Sequence, residues 1–231
     1  MTQETDFETF LFISKNKYQI FVYDKINLNH LYNEEIKINH ENELNNLSKF
    51  LDENIYKIEK TINNFIRNII LIIENDKILK VDISIKKKNY EKYVDQKNLE
   101  KSLLEVKDVF RENYQDQIIM HMIIVNNDKN EHNVQSNNVN KNDDYLILEV
   151  NFISIPKNFT FYFDKLLKNH QIKIRRLMSS SYIRSFIGDD FTEFAAIANK
   201  LNNGLNKNEV KLVSKTPKNR GFFERFFQLF S

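Results

Sequence analysis

Hydrophobic residues change their spacing along this chain, from every second position to every third or fourth and back again. A strand turns alternate residues to one face and a helix turns every third or fourth, so each switch marks a new element. From Thr9 to Ile38, the residues Phe10 and Phe12, then Tyr18, Ile20 and Val22, then Leu31, Ile36 and Ile38 alternate with polar neighbours. Turn-like breaks at Lys15-Asn16-Lys17 and Lys25 to Asn29 divide them into a three-strand antiparallel meander. From Leu47 to Ile66 the spacing becomes helical, with Lys49, Glu53, Lys57, Glu59 and Lys60 on the opposite face. Ile69 to Ile73 is a continuous apolar run, the pattern of a buried strand, and Leu79 to Ile85 alternates again.

The second half continues in the same way. Leu99 to Phe110 is helical with Asp95 as its cap, Ile118 to Val125 a strand, and the polar stretch Asn126 to Asp144 a mobile loop. Tyr145 to Ile155 is a strand closed by Pro156, Asn158 to Asn169 a helix and Ile172 to Met178 a strand. Asp190 and Glu193 form a capping box for a last globular helix, with Gly204 at its C′ position, and Val210 to Val213 reads as a short strand or an extended linker. The fold class this predicts is α+β: an antiparallel or mixed sheet in two layers with helices on one face. Residues 1–204 form the domain.

The remainder is a basic linker, 205–220, and a terminal helix, 221–231. At about 100° per residue, Phe222, Phe223, Phe226, Phe227, Leu229 and Phe230 gather within an arc of about 160°. Lys218, Arg220 and Arg225 stand beside them, and Lys211 and Lys215 lead in, interrupted only by Glu209. Such a helix suits the boundary between headgroups and acyl chains, its cations facing anionic lipid. These nine residues are the candidate membrane-binding set. The longest apolar run, Ile69 to Ile73, is too short to span a bilayer, and no signal peptide is recognisable, so a peripheral attachment is expected.

Other chemistry finds little support. The chain has three glycines, no cysteine and a net charge of +2 in 231 residues. Glycine-rich phosphate loops, thiolate metal sites and a whole-surface nucleic-acid footprint are therefore not expected. His30, His40, His121, His132 and His170 show no metal-ligand spacing, and His121 reads as a half-buried strand residue. Ser179-Ser180-Ser181 reads as a turn, and Lys86-Lys87-Lys88 and Arg175-Arg176 as solvated surface. No catalytic residue, cofactor or metal is expected.

Three stretches resemble FtsA, the bacterial actin-like cell-division family that tethers the division ring to the inner membrane. They are LFISKNK from Leu11, the segments IIMHMIIVNN and LLKNHQIKIRRLMSSSYIRSF from Ile118 and Leu166, and the tail TPKNRGFFERFFQLFS from Thr216. The resemblance implies part of the first actin-like domain over 1–204, with its inserted subdomain at about 79–155, followed by a membrane-targeting helix at 221–231. It also implies a non-catalytic division adaptor at the cytoplasmic face of the inner membrane, in contact with division proteins or a second copy. Phe12 and Ser14 stand where the family's phosphate loop has an aspartate and a glycine, and only Lys17 fits, so nucleotide binding is not expected. Neither is the family's second half present, which completes the nucleotide cleft and binds the ring protein. The alternative is an adaptor of pilus or secretion assembly, whose actin-like members share a similar subdomain.

Overall fold

The structure is a computed structural model and describes residues 6–38, 43–88, 96–125, 145–187 and 194–211. Its elements run β1 (Phe7–Ile13), β2 (Lys17–Asp24), β3 (His30–Lys37), α1 (Glu43–Ile62), β4 (Asn68–Ile73), β5 (Leu79–Lys88) and α2 (Gln96–Asn113). There follow β6 (Gln117–Ile124), β7 (Tyr145–Pro156), α3 (Lys157–Asn169), β8 (Lys173–Ser179), α4 (Ser180–Arg184) and α5 (Phe194–Asn202). The cap residues Asp95, Asp190 and Glu193, the loop 126–144 and all nine membrane-binding candidates lie outside the described residues.

A mixed α+β chain is what the periodicity predicts, but the layering differs from a single sheet covered on one face. Two sheets form: a five-stranded one in the order β3-β2-β1-β4-β8 and a three-stranded one in the order β5-β7-β6. The hairpins β1–β2 and β2–β3 are antiparallel, whereas β4 pairs parallel to β1 and β8 parallel to β4. Central strands of such a sheet carry apolar residues on both faces, and both need cover. Leu11, Ile13, Ile69, Leu71 and Ile73 pack under α1 and α3, through Leu47, Leu51, Ile58, Phe163 and Leu167. Phe10, Phe12, Ile70 and Ile72 pack on the opposite face under α4 and α5, through Tyr182, Ile183, Ala198 and Leu201. The continuous apolar run of β4 is thus the spine of both layers.

The small sheet is antiparallel throughout and has its own core. On one face Leu148, Val150 and Phe152 meet Leu103, Val106 and Phe110 of α2, with the Phe110 and Phe152 rings stacked at 4.6 Å. On the other, Ile153 and Ile155 join the two clusters of the large sheet. The alternation along β7 therefore welds the insertion to the main body.

Three helices end where the backbone turns left-handed: α1 stops four residues short of the Ile66 that its spacing predicts, whereas α3 ends at Asn169 and α5 takes Gly204 at its C′ position as expected. α1 stops at Ile62, because Asn63 takes φ +48° and the Asn64 N–H closes onto the Glu59 carbonyl at 3.2 Å. α3 ends on Gln171 at φ +61°, with the Ile172 N–H on the Leu167 carbonyl and the Gln171 N–H on that of Lys168. α5 ends on Gly204 at φ +93° with the same two bonds, from Leu205 to Lys200 and from Gly204 to Leu201. No helix among the described residues is long and apolar enough to cross a membrane.

Candidate functional site

Two edges face one another where the sheets meet. β6 ends the small sheet, β8 ends the large one, and among the described residues neither edge has a neighbouring strand along its full length. They touch where the Ser179 N–H donates to Nε2 of His121 at 2.9 Å. Toward their N-terminal ends they border a groove of about 870 Å³, walled by Ile118, Ile119 and Met120 on one side and by Ile174 to Leu177 on the other. The first turns of α3 close it through Lys157, Thr160 and Phe161. Phe161 is 70% exposed at this rim, although it sits in a helix whose other aromatics are packed inward. Unpaired strand edges with apolar walls between them are what an extended peptide needs, since it gains main-chain bonds and pockets for alternate side chains.

Behind the contact of His121 and Ser179 lies a buried polar cluster. Since Nε2 of His121 accepts from Ser179, Nδ1 carries the proton and donates to Oε1 of Glu209 at 2.8 Å. The same carboxylate accepts from Arg176 and, at 3.2 Å, from the Tyr182 hydroxyl. Arg176 also donates to the Leu201 carbonyl and the Asn202 side chain, and the Lys211 ammonium bonds the Leu201 and Asn202 carbonyls. Burial holds His121 below its ordinary value, outweighing the pull of Glu209. Burial pushes the Glu209 carboxyl up, but the His121 hydrogen bond and the Arg176 charge more than reverse it and leave it low. Tyr182 is pushed up to about 12, chiefly by burial. Neutral His121, ionised Glu209 and protonated Tyr182 are therefore the resident states at neutral pH.

Several sequence expectations are corrected here. His121 is fully buried rather than half-buried, Arg176 is an internal ion-pair partner rather than solvated surface, and Ser179 and Ser180 end β8 and begin α4 rather than forming a turn. Among Lys86 to Lys88, Lys87 pairs with Glu105 of α2. Glu209, which in sequence merely interrupts a basic stretch, is the hub. It had no local signal, because its partners come from β6, β8 and α4. Residues 205–211, the start of the basic linker in the sequence reading, are held onto the body. Ile123 and Glu209 form an antiparallel bridge, flanked by bonds from Ile124 to Asn208 at 2.9 Å and from Val210 to Met122 at 2.8 Å.

The β1–β2 turn, where the FtsA resemblance places a phosphate loop, spends its amides internally. The Ser14 hydroxyl oxygen accepts from the Asn16 and Lys17 N–H groups at 3.3 and 3.1 Å, and the Ser14 N–H bonds the Lys17 carbonyl. Lys17 pairs with Glu35 at 3.0 Å and lies 5.5 Å from the centre of the Phe12 ring. Beside it is a cleft of about 280 Å³ whose other cation, Arg184, is held by both oxygens of Glu74.

By its fold the chain is a mixed α+β protein with two sheets joined at a groove. No protein-family model and no curated protein matches it. Among solved structures it is similar to the cytoplasmic domain of EpsL, an inner-membrane component of the type II secretion system of Vibrio cholerae. That match has a TM-score of 0.42 and 7% identity, over 77% of this chain and 58% of the other. A PilM–PilN type IV pilus biogenesis complex matches with a TM-score of 0.46 and 9% identity, over 76% and 48%. A Bacteroides thetaiotaomicron protein with an actin-like ATPase fold and unknown function matches at 0.37 and 15%, over 80% and 57%. The chain thus spans about half to three fifths of the length of these proteins. None of the three is described as a cell-division protein, and at these TM-scores the likeness carries no conclusion about what this chain binds.

Proposed function

We propose that the chain is a non-catalytic adaptor at a membrane surface, which holds an extended segment of an assembly partner in the groove between β6 and β8. Its tether is the C-terminal helix with Phe222, Phe223, Phe226, Phe227, Leu229 and Phe230 in the acyl boundary and Lys218, Arg220 and Arg225 on anionic headgroups. The assembly we assign it to is of the pilus or secretion kind, at the cytoplasmic face of an inner membrane. The division-ring assignment that the FtsA resemblance implied has no counterpart among the similar structures named above.

The observation that carries the reading is the groove itself, with two strand edges, apolar walls and an exposed Phe161 at its mouth. A non-catalytic role is supported by the β1–β2 turn, whose amides are occupied by Ser14, and by the carboxylate partners of Lys17 and Arg184. The test is a photo-crosslinking residue placed at Phe161 in the full chain in growing cells. The reading expects adducts in the membrane fraction to a cytoplasmic segment of a pilus or secretion component. Adducts to a division-ring component would restore the division reading instead, and a soluble protein without adducts would overturn both.

A further inference from the structure

The groove between β6 and β8 is unevenly charged. Asp164, Arg175 and Arg176 border it, and each is already paired, with Lys168, Glu8 and Glu209 respectively. Lys157 borders it too, is exposed, and has no carboxylate partner among the described residues. The first turn of α3 carries no acid to offset it. Its backbone is fixed from both sides. The Lys157 N–H donates to the Asp116 carbonyl at 2.8 Å, just before β6, and the Lys157 carbonyl accepts from the Thr160 hydroxyl at 3.0 Å. One turn further along α3 stands Phe161, 70% exposed. Residues four apart on a helix share a face, with Cβ atoms about 5–6 Å apart. α3 therefore offers the groove an unpaired cation and an apolar ring side by side. In an extended chain, neighbours on one face are two residues apart, about 6.6 Å at a rise of about 3.3 Å per residue. The two spacings match.

We infer that the segment held in the groove carries an acidic residue and a large apolar residue two positions apart, with the carboxylate on the Lys157 ammonium and the apolar side chain against the Phe161 ring. Lys157 and Phe161 are then the residues that set specificity. This selectivity rests on the groove reading of the proposed function and narrows it. Strand edges accept any extended chain through its main chain, whereas the pair on α3 selects among side chains and fixes the register. A charge at the mouth of a groove acts more on the choice of partner than on raw affinity.

Fluorescence anisotropy on the full chain tests this with three labelled nine-residue peptides. Each has leucine at its third and seventh positions and threonine elsewhere, except at the centre, which is aspartate, asparagine or lysine. With a leucine two residues to either side of the centre, both directions of binding present the same pair. The aspartate peptide is expected to bind about tenfold more tightly than the lysine one, with the asparagine peptide between them. Lys157→Glu should invert that order, and Phe161→Ser should weaken all three. Wild-type affinities that ignore the central residue, or a preference for aspartate that survives Lys157→Glu, would overturn the inference and leave the groove reading in place. Binding of none of the three, or binding that Phe161→Ser leaves unchanged, would overturn the groove reading and the inference with it.

Discussion

Glu209→Ala removes the acceptor on which the junction of the two sheets depends. The Glu209 side chain is 2% exposed and that of Arg176 15%, so the substitution leaves a guanidinium with little access to water. Breaking such a buried pair from one side costs about 3–5 kcal/mol. The His121 Nδ1–H and the Tyr182 hydroxyl also lose an acceptor, at about 1 kcal/mol each where nothing replaces it. Losing the acid's own desolvation cost partly offsets these losses, so a net loss near 4 kcal/mol is expected. Glu209→Leu combined with Arg176→Met removes both charges and keeps the volume filled. It leaves the His121 Nδ1–H and the Tyr182 hydroxyl without Glu209 and the Asn202 side-chain oxygen without Arg176, and should cost about 1–3 kcal/mol. Urea unfolding at pH 7, followed by circular dichroism, measures all three proteins. A single-variant loss below about 1 kcal/mol, or a double variant less stable than the single, would refute the assignment of Glu209 as the hub.

Stability should also respond to pH with a defined sign. His121 and Glu209 both titrate lower in the folded protein, so the unfolded chain takes up their protons first and stability falls with pH. The decline begins near pH 6.5 for His121 and near 4.5 for Glu209, and a urea midpoint that stays level from pH 7 to pH 4 would contradict it. Tyr182, pushed up to about 12, adds stability below about pH 10 that is lost as pH rises from there through its folded value. Gln171→Gly relieves a left-handed residue at the end of α3 and should raise stability by about 0.5–1 kcal/mol, whereas a loss would show that the Gln171 side chain contributes more than its backbone costs. Phe161→Ser should change stability by less than about 0.5 kcal/mol while weakening partner capture, because the ring is 70% exposed at the groove mouth. A large fall in its melting temperature would mean that the ring packs into the body.

Elements were legible in the sequence where local periodicity is strong. The alternation of β1 and β2, the apolar run of β4 and the helical spacing of α1 and α3 each identify themselves. Layering was less legible, because the same run in β4 suits a strand buried under one layer or between two. The decision rests on whether α4 and α5 return to cover Phe10, Phe12, Ile70 and Ile72, which is a long-range matter. The polar cluster was invisible for the same reason. Its histidine, arginine, tyrosine and glutamate are drawn from four separate segments, and each taken alone resembles ordinary surface chemistry. The groove likewise depends on two strand edges that only the assembled sheets bring together.

The claim of a membrane-surface adaptor rests most directly on the proposed terminal helix, and co-sedimentation with vesicles tests it. Full burial of a phenylalanine is worth roughly 1.5–3 kcal/mol, an interfacial helix realises part of that, and each nearby cation adds about 1 kcal/mol on anionic lipid. The full chain should therefore pellet with phosphatidylglycerol vesicles, less with neutral ones, and less again as salt screens the charges. Phe226→Glu with Phe227→Glu should release it while leaving the thermal melt within about 1 °C of the wild type, since the proposed tether acts on lipid and not in the body's core. Retained binding by that double variant, or a body that unfolds because of it, would contradict the account.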